Sequence, residues 1–265
     1  MRRLLVTGAA GRIGKVVCKP LAASWEIRCG YSNQAGREKI EAQGLTAVPC
    51  DVTSREQVNE AVRGIDAVLH LAAISVEAEP ELIAKVNILG TTYVLDAARE
   101  HGVKRFVYAS SNHAIGGHER FSDQLPPQRE FDENTTVWAD SHYGASKVHG
   151  EVLTRWYVHR PGSQMTAACL RIGTTGFQNI DEIMQNERIW STWMSDRDLI
   201  QLCEKALAST VKFGLYGGVS RNTRRFISID LAKRDLGYEP QDDAEEIAKA
   251  RGYEPKGYHF AGWQE

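Results

Sequence analysis

The amino-acid sequence predicts an α/β protein built on a doubly wound parallel sheet with helices on both faces. Apolar, β-branched runs alternate with amphipathic helical stretches through the first two thirds of the 265 residues, which is the pattern of βαβ units. A hydrophobic content of 42% and a charged content of 25% are those of a globular chain with one sizeable core. Neither a repeat nor a linker divides the sequence, so a single domain over residues 1–265 is expected.

Six strands are predicted from the apolar runs, and a long helix is predicted over residues 82–100 from apolar residues at helical spacing. Gly102 follows that helix as a stop signal. Pro49 has no N–H to donate to a neighbouring strand, so the third strand is expected at an edge of the sheet. The predicted strands are Arg3 to Thr7, Glu26 to Gly30, Thr46 to Cys50, Ala67 to Ala72, Arg105 to Ser110 and Thr166 to Ile172.

Composition argues against several classes of partner. With 32 basic and 34 acidic residues the formal charge is −2, which offers nothing to hold nucleic acid or an anionic membrane. No apolar run approaches the roughly 18 residues of a membrane span, and the first apolar stretch is too short for a secretory signal peptide. Five cysteines, odd in number and without a C-x-x-C pair, indicate neither a disulfide framework nor a zinc site. We therefore expect a cytoplasmic protein that binds no metal.

Three glycines follow the first predicted strand and open a helix. Gly8, Gly11 and Gly14 stand in the stretch Thr7-Gly8-Ala9-Ala10-Gly11-Arg12-Ile13-Gly14. Glycines at such spacing permit a tight turn, let backbone N–H groups approach a pyrophosphate and let the helix pack closely on the sheet. Because the triplet lies after a strand and before a helix, it predicts a dinucleotide site of the Rossmann type.

The end of the second strand bears on the choice between NAD and NADP. A carboxylate there normally accepts the hydroxyls of the adenosine ribose, and none is present. Ser32, Asn33 and Arg37 stand there instead, and a guanidinium can bind a 2′-phosphate. The alternative is that Arg37 faces solvent on the following helix and contacts no cofactor. Either NAD or NADP is therefore expected, with Asp51 after the third strand placed to meet the adenine.

Tyr143 and Lys147 stand four residues apart, which places a phenol and an ammonium on one face of a predicted helix. Tyrosine is a poor base at its ordinary pKa of about 10, and a fixed positive charge nearby lowers that pKa. A hydroxyl donor beside the reacting oxygen would complete the arrangement, and of the pair Ser110-Ser111 ending the fifth strand we favour Ser111. Ser111, Tyr143 and Lys147 are the predicted catalytic set.

The alternating pattern decays after residue 172. This predicts a cofactor-binding core in residues 1–172 and a small, irregular C-terminal substrate cap in residues 173–265 of the same Rossmann-type domain. One short helix is expected late in the cap, with Asp230 as its N-cap and Gly237 as its stop.

Further motifs accompany the glycine turn and the Tyr-Lys pair, and together they resemble the extended branch of the short-chain dehydrogenase/reductase superfamily. The motifs are Thr7-Gly8-x-x-Gly11-x-x-Gly14, Asp51-Val52, His70-Leu71-Ala72-Ala73, Asn87-x-x-Gly90-Thr91, Ser110-Ser111 and Tyr143-x-x-x-Lys147. Three other stretches, Ser110 to Gly116, Arg171 to Gly173 and Arg188 to Trp193, are similar to the uronate dehydrogenases. The stretch from Ser228 to Asp242 also looks like the short-chain type of glucose-6-phosphate dehydrogenase.

The resemblance implies an oxidoreductase that oxidises the anomeric carbon of galacturonate or glucuronate to an aldarolactone, with hydride passing to NAD or NADP. Arg188 would hold the carboxylate of the sugar. The implied substrate contacts are Ser75, Ser111, Asn112, His113, Tyr143, Thr174 and Arg188. The expected cofactor contacts are Gly8, Gly11, Arg12, Ile13, Gly14, Ser32, Asn33, Arg37, Asp51, Val52, Leu71, Ala72, Ala73, Asn87, Tyr143 and Lys147.

The sequence also departs from the uronate dehydrogenases. Besides the missing acid, the loop from Phe121 to Val137 is long, and the segment from Thr174 to Glu187 differs. A guanidinium binds phosphate or sulfonate as well as carboxylate, so a dehydrogenase of a phosphorylated or sulfonated hexose is an alternative.

Two further function classes remain open. A nucleotide-sugar epimerase or dehydratase would share the cofactor half but needs a larger C-terminal domain, and a non-catalytic dinucleotide sensor has no need of a tyrosine base. The expected partner is a small sugar, without nucleic acid or membrane, and a homo-oligomer is possible.

Overall fold

Seven parallel strands form one sheet at the centre of the structure. The computed structural model describes residues 1–119, 130–176, 181 and 186–254, without the side chains of residues 187 and 188. The strands are β1 Arg3–Thr7, β2 Glu26–Tyr31, β3 Ala47–Pro49, β4 Ala67–His70, β5 Arg105–Ser111, β6 Thr166–Ile172 and β7 Phe213–Gly218. Their order within the described residues is β3-β2-β1-β4-β5-β6-β7, and each neighbouring pair is parallel.

The predicted strands correspond closely to the first six of these. Five of them begin at the predicted residue, and β3 begins one residue later than predicted. Strand β3 lies at the edge of the sheet, as the missing N–H of Pro49 predicted. Every residue of β4 and β5 is buried, because helices cover both faces of a parallel sheet. The predicted fold class is confirmed.

Helices connect successive strands. They are α1 Arg12–Leu21, α2 Gln34–Glu41, α3 Arg55–Val62, α4 Pro80–Ile83, α5 Gly90–Glu100, α6 His142–His159, α7 Glu187–Thr192, α8 Asp196–Ala208, α9 Asp230–Leu236 and α10 Ala244–Ala250. A π-helical stretch, Ala84–Leu89, joins α4 to α5, so the predicted helix over 82–100 is part of a longer helical segment that begins at Pro80. Proline suits that first position because its missing N–H has no partner there in any helix.

Two hydrophobic layers hold the helices on opposite faces of the sheet. Alternate residues of β1 enter different layers, with Leu4 and Val6 in one and Leu5 in the other. The first layer contains buried side chains of α1 and α8, and the second contains those of α3, α5 and α6. A third, small cluster joins α7 to α10 through Trp190 and Ala244.

The segment after residue 172 is more regular than its sequence indicates. Helix α8 packs on the sheet, and β7 extends the sheet beside β6. The late short helix is present as α9, but Asp230 is its first helical residue rather than its N-cap, a position that Ile229 occupies. Gly237 ends the helix in the left-handed conformation, with φ of 68°, as expected of a glycine stop.

Parts of two predicted segments lie outside the described residues. They are residues 121–129 of the loop from Phe121 to Val137, and most of the segment between Thr174 and Glu187. Among the described residues, no helix combines the length and the apolar character needed to cross a membrane.

Candidate active site

A cavity of about 760 Å³ opens at the carboxyl ends of the strands, where a doubly wound sheet presents its site residues. It is lined by residues that follow β1, β2, β3, β4, β5 and β6, and by the first turn of α6. Eighteen of the predicted site residues line it. They are Gly8, Gly11, Arg12, Ile13, Gly14, Ser32, Asn33, Asp51, Val52, Leu71, Ala72, Ala73, Ser75, Ser111, Asn112, His113, Tyr143 and Thr174.

The glycine turn fits a dinucleotide. Gly8 has φ of 65°, and a Cβ there would lie 2.7 Å from the backbone nitrogen of Ala72. Gly14 lets α1 pack on the turn, since a Cβ would lie 2.2 Å from the carbonyl oxygen of Ala9. The first turn of α1 has no acidic side chain and Gly11 offers no side-chain cap, so its N–H groups are left for an anion.

His70 fixes the loop that faces this turn. Thr91 donates its hydroxyl to the carbonyl oxygen of Asn87 and so accepts from His70 Nε2 at 3.0 Å. The other ring nitrogen, Nδ1, then accepts from the Thr7 hydroxyl at 2.7 Å, and the Thr7 oxygen accepts from the Ala72 N–H. Burial lowers the pKa of His70 to about 3, so the ring is neutral at pH 7.

Asn87 supports the wall of the cavity and does not line it. Its side chain exchanges two hydrogen bonds with the backbone of Ile74, at 2.8 and 3.0 Å, and donates a third to Ser146. The structure therefore connects Asn87 to the cavity through the loop that carries Ser75.

Arg37 also lies outside the cavity. Its Nε atom donates to Glu41 at 2.7 Å on the exposed face of α2, which matches the solvent-facing alternative. The cation of α2 that lines the cavity is Lys39, one helical turn after Ala35 on the same face. The spacing of Ala35 and Lys39 could have identified it, but only once the start of α2 was known.

Tyr143 and Ser111 meet in the cavity. Burial raises the pKa of Tyr143, a hydrogen bond with Ser111 lowers it, and the nearby Asp140 carboxylate raises it. The net direction in the protein alone is upward. A positive charge bound in the cavity would oppose this shift.

Lys147 is buried behind the tyrosine. Its Nζ atom lies 5.6 Å from the centroid of the Tyr143 ring and donates to the carbonyl oxygen of Ala109 at 2.8 Å. Burial lowers its pKa to about 8, and the carboxylate of Glu151 opposes that shift. The lysine is therefore still mostly charged at pH 7, as the predicted role requires.

Two carboxylates around Tyr143 were missed in the sequence. The Glu77 oxygens accept from the backbone N–H of Tyr143 at 3.1 Å and from His142 Nδ1 at 2.6 Å. The hydrogen bond from Tyr143 is the main reason that the pKa of Glu77 is lowered. Asp140 accepts from His113 Nδ1 at 2.7 Å. An acidic residue shortly before a predicted helix only weakly indicates a site residue. The hydrogen-bond partners of these two carboxylates are also distant from them in sequence.

Thr174 stands at the edge of the cavity, with its hydroxyl 2.7 Å from that of Thr192 at the end of α7. Arg188 belongs to the same helix, but its side chain lies outside the described residues. Within the part of the chain that is described, no group of three metal-ligating side chains occurs.

Comparison with known proteins identifies the family. Residues 4–175 match the model of the NAD dependent epimerase/dehydratase family. The chain belongs to this family. The resemblance noted in the motifs is confirmed by a uronate dehydrogenase of Pseudomonas syringae pv. tomato, 35% identical over 92% of this chain and 83% of that protein.

Other members of the family are similar over comparable lengths. An NAD-dependent glucose-6-phosphate dehydrogenase of Haloferax volcanii is 33% identical over 92% of this chain and 95% of its own. A mutant uronate dehydrogenase of Agrobacterium tumefaciens, solved in complex with NAD, is 33% identical, with a TM-score of 0.80 over 97% of this chain and 92% of that one. The fold and the cofactor half are thus those of sugar-modifying members of the family.

Proposed function

We propose that this chain is a sugar 1-dehydrogenase that oxidises the anomeric hydroxyl of a hexose with an anionic terminal group to the lactone. The observation that carries the proposal is that Ser111 and Tyr143 line the same cavity as the glycine turn, with Lys147 buried behind the tyrosine. A uronate such as galacturonate or glucuronate is the substrate favoured by the relatives described above.

Tyr143 acts as the base. Its phenolate removes the proton from the hydroxyl at C1, while Ser111 and Asn112 hold the reacting oxygen by hydrogen bonds. A bound NAD or NADP supplies the hydride acceptor. The glycine turn and the N-terminus of α1 would hold its pyrophosphate, with Ser32 and Asn33 toward the adenosine and Asp51 and Val52 toward the adenine.

Lys147 serves this base in two ways. Its ammonium stabilises the phenolate electrostatically, and it would donate to the ribose next to the nicotinamide. The bond to Ala109 holds the amine in place and leaves two of its three N–H groups for such partners.

We assign the terminal anion of the sugar to Arg188 because the stretch from Arg188 to Trp193 is similar to the uronate dehydrogenases, and we assign Thr174 as a further contact of the sugar. A guanidinium binds a carboxylate through two parallel hydrogen bonds, and it binds phosphate or sulfonate equally well. A phosphorylated hexose is the second candidate substrate, and the similarity to a glucose-6-phosphate dehydrogenase favours it. The cap role of residues 173–265, a cytoplasmic location and assembly into a homo-oligomer stay predictions.

A substrate panel tests the proposal. Galacturonate, glucuronate, glucose 6-phosphate and a sulfonated hexose are each supplied with NAD or NADP, and reduced nicotinamide is followed by its absorbance. Turnover that depends on added dinucleotide and yields a lactone supports the proposal, and the preferred sugar decides between carboxylate and phosphate. A protein that purifies with tightly bound NAD and epimerises or dehydrates a nucleotide sugar would overturn it.

A further inference from the structure

His113 and Asp140 form a hydrogen-bonded pair at the end of the cavity that Ser111 and Tyr143 line. His113 follows β5, Asp140 precedes α6, and 2.7 Å separates His113 Nδ1 from Asp140 Oδ2. The imidazole lies edge-on to the Tyr143 ring, with 5.5 Å between their centroids. The pair therefore reaches the tyrosine that removes the substrate proton.

The Asp140 carboxylate is ionised and held at both oxygens. Its side chain is 2% exposed, and Oδ1 accepts from the Ser141 hydroxyl at 2.7 Å. Burial raises the pKa of Asp140, but the hydrogen bonds from His113 and Ser141 outweigh it and leave the pKa below its usual value. Ser141 in turn caps α6 by accepting from Gly144 N, so the carboxylate is fixed to the helix that carries Tyr143.

Space for the carboxylate depends on a neighbouring glycine. A Cβ atom at Gly116 would lie 2.0 Å from Asp140 Oδ2, so an alanine there would displace the oxygen that binds His113. The absence of a side chain at Gly116 therefore leaves the room that the Asp140 carboxylate occupies. This arrangement belongs to a built site rather than to a chance surface contact.

An ionised carboxylate can only accept hydrogen bonds, and this decides the tautomer of the imidazole. The proton of a neutral His113 must sit on Nδ1, which leaves Nε2 as an acceptor. Nε2 has no partner among the described residues, and the ring lines the cavity with about a third of its side chain exposed. An acceptor is thus presented beside the Tyr143 phenol, and no donor of the described residues occupies it.

We propose that Asp140 is a positioning residue, which locks His113 in the Nδ1–H tautomer so that Nε2 accepts a hydrogen bond from a second sugar hydroxyl next to the one that Tyr143 deprotonates. The proposal rests on the proposed function for the identity of the ligand as a sugar. Its consequence is that the site selects sugars with two neighbouring hydroxyls at the reacting end. A site built to bind a hydroxyl rejects analogues that lack it, because the acceptor then loses its hydrogen-bond partner in the complex.

The tautomer is measured directly, without any substrate. Long-range ¹H–¹⁵N correlation spectra of the full chain labelled with ¹⁵N-histidine report which ring nitrogen of each histidine carries the proton. His113→Gln assigns the signal. We expect Nδ1–H and a bare Nε2 in the wild type, a mixture of tautomers in Asp140→Ala, and partial rescue in Asp140→Asn, whose amide oxygen can still accept. An Nε2–H tautomer in the wild type would overturn the proposal.

Kinetics then test whether Asp140 acts through His113. In the double-mutant cycle of Asp140→Ala and His113→Ala, we expect each single variant to raise the KM of galacturonate by about tenfold. The second change should add less than about twofold to the first. A dinucleotide dissociation constant within about twofold of wild type in every variant shows that the cofactor half is intact. Equal and additive losses, with weaker dinucleotide binding, would make Asp140 a purely structural residue.

The two arms separate this proposal from the proposed function. If the wild type turns over none of the sugars, the proposed function fails, and the histidine spectra still decide the tautomer. If the wild type is active, each sugar is compared with its 2-deoxy analogue, either glucose 6-phosphate or galactose. Equal use of a sugar and its 2-deoxy analogue would mean that the second hydroxyl is not recognised. The proposal would then fail while the proposed function stands.

Discussion

The guanidinium of Arg171 binds the carboxylate of Glu151 through two parallel hydrogen bonds, both 2.9 Å long. Glu151 lies on α6, one helical turn beyond Lys147. Both side chains are 3% exposed. Ser110 donates its hydroxyl to the same carboxylate at 2.6 Å, so β5, β6 and α6 are joined at the point where Ser111 and Lys147 enter the site. The ion pair therefore lies behind the predicted catalytic set and holds the elements that carry it together.

Breaking this ion pair is expected to destabilise the fold strongly. Glu151→Gln leaves a buried guanidinium without its counter-charge, which costs about 3–5 kcal/mol in comparable cases. The double variant Glu151→Leu/Arg171→Met carries no unpaired buried charge. It should therefore recover much of the free energy of unfolding that Glu151→Gln loses. The free energy of unfolding is measured by denaturant titration monitored by circular dichroism.

A surface ion pair supplies the matched control. Glu41→Gln removes the partner of Arg37 on the exposed face of α2, and it should leave the free energy of unfolding almost unchanged, because solvent screens this pair. A similar small effect for Glu151→Gln would mean that water or a rearranged neighbour satisfies Arg171, and that the pair contributes little to the site.

Much of the site could be predicted from the sequence because its signals are local. The glycine turn, the Ser-Ser strand end and the Tyr-Lys pair each lie within a few residues, and the carboxyl ends of parallel strands bring them together at one edge. Strand β7 was missed because its six residues, Phe-Gly-Leu-Tyr-Gly-Gly, include three glycines and no β-branched side chain.

The missed contacts share a different cause. Glu77 and Tyr143 are 66 residues apart, and His113 and Asp140 are 27 apart, so no local pattern relates them. Arg37 and Lys39 illustrate the same limit at shorter range, since a shift of two residues on a helix moves a side chain to the opposite face. Only the packed structure decides which cation reaches the cavity.

His70 makes the fold sensitive to acid. Its folded pKa of about 3 lies below the ordinary value of 6.5, so the unfolded chain binds a proton first. The stabilisation is complete above pH 6.5 and is lost as the pH falls toward 3. Between pH 7 and pH 5 this histidine alone should remove about 2 kcal/mol of stability.

Comparison with His70→Asn isolates that contribution. The variant lacks the titrating group, so its free energy of unfolding should fall less than that of the wild type over the same interval, by about 2 kcal/mol. Denaturant titrations at pH 7, 6 and 5 provide the measurement. Parallel losses in both proteins would show that His70 does not stay neutral in the folded state.

Tyr143→Phe is expected to abolish sugar oxidation while leaving dinucleotide binding nearly unchanged. In the proposed mechanism the phenol acts on the substrate proton, and the glycine turn and Lys147 hold most of the cofactor. Loss of a general base commonly lowers the rate by about 10²- to 10⁴-fold. Tyr157→Phe is the matched control on the same helix, because the Tyr157 hydroxyl donates to Asp96 outside the cavity. A Tyr143→Phe enzyme that kept more than about a tenth of the wild-type kcat at neutral pH would exclude Tyr143 as the base.

The second-strand end should let NADP bind at least as well as NAD, and Lys39 should be responsible. The residues directly after β2, Ser32 and Asn33, carry no carboxylate that would repel a 2′-phosphate, and Lys39 lines the cavity where Arg37 does not. A charge-assisted contact to phosphate contributes about 1.5–3 kcal/mol, and solvent reduces this for an exposed lysine. Lys39→Ala should therefore weaken the binding of NADP relative to that of NAD by about tenfold, whereas Arg37→Ala should change that ratio by less than about twofold.

Dissociation constants from isothermal titration calorimetry give the ratio of NADP to NAD affinity without turnover. If NADP binds the wild type more than a hundredfold more weakly than NAD, the adenosine end of this cavity does not accept the 2′-phosphate. The absence of a carboxylate after β2 would then not indicate NADP binding.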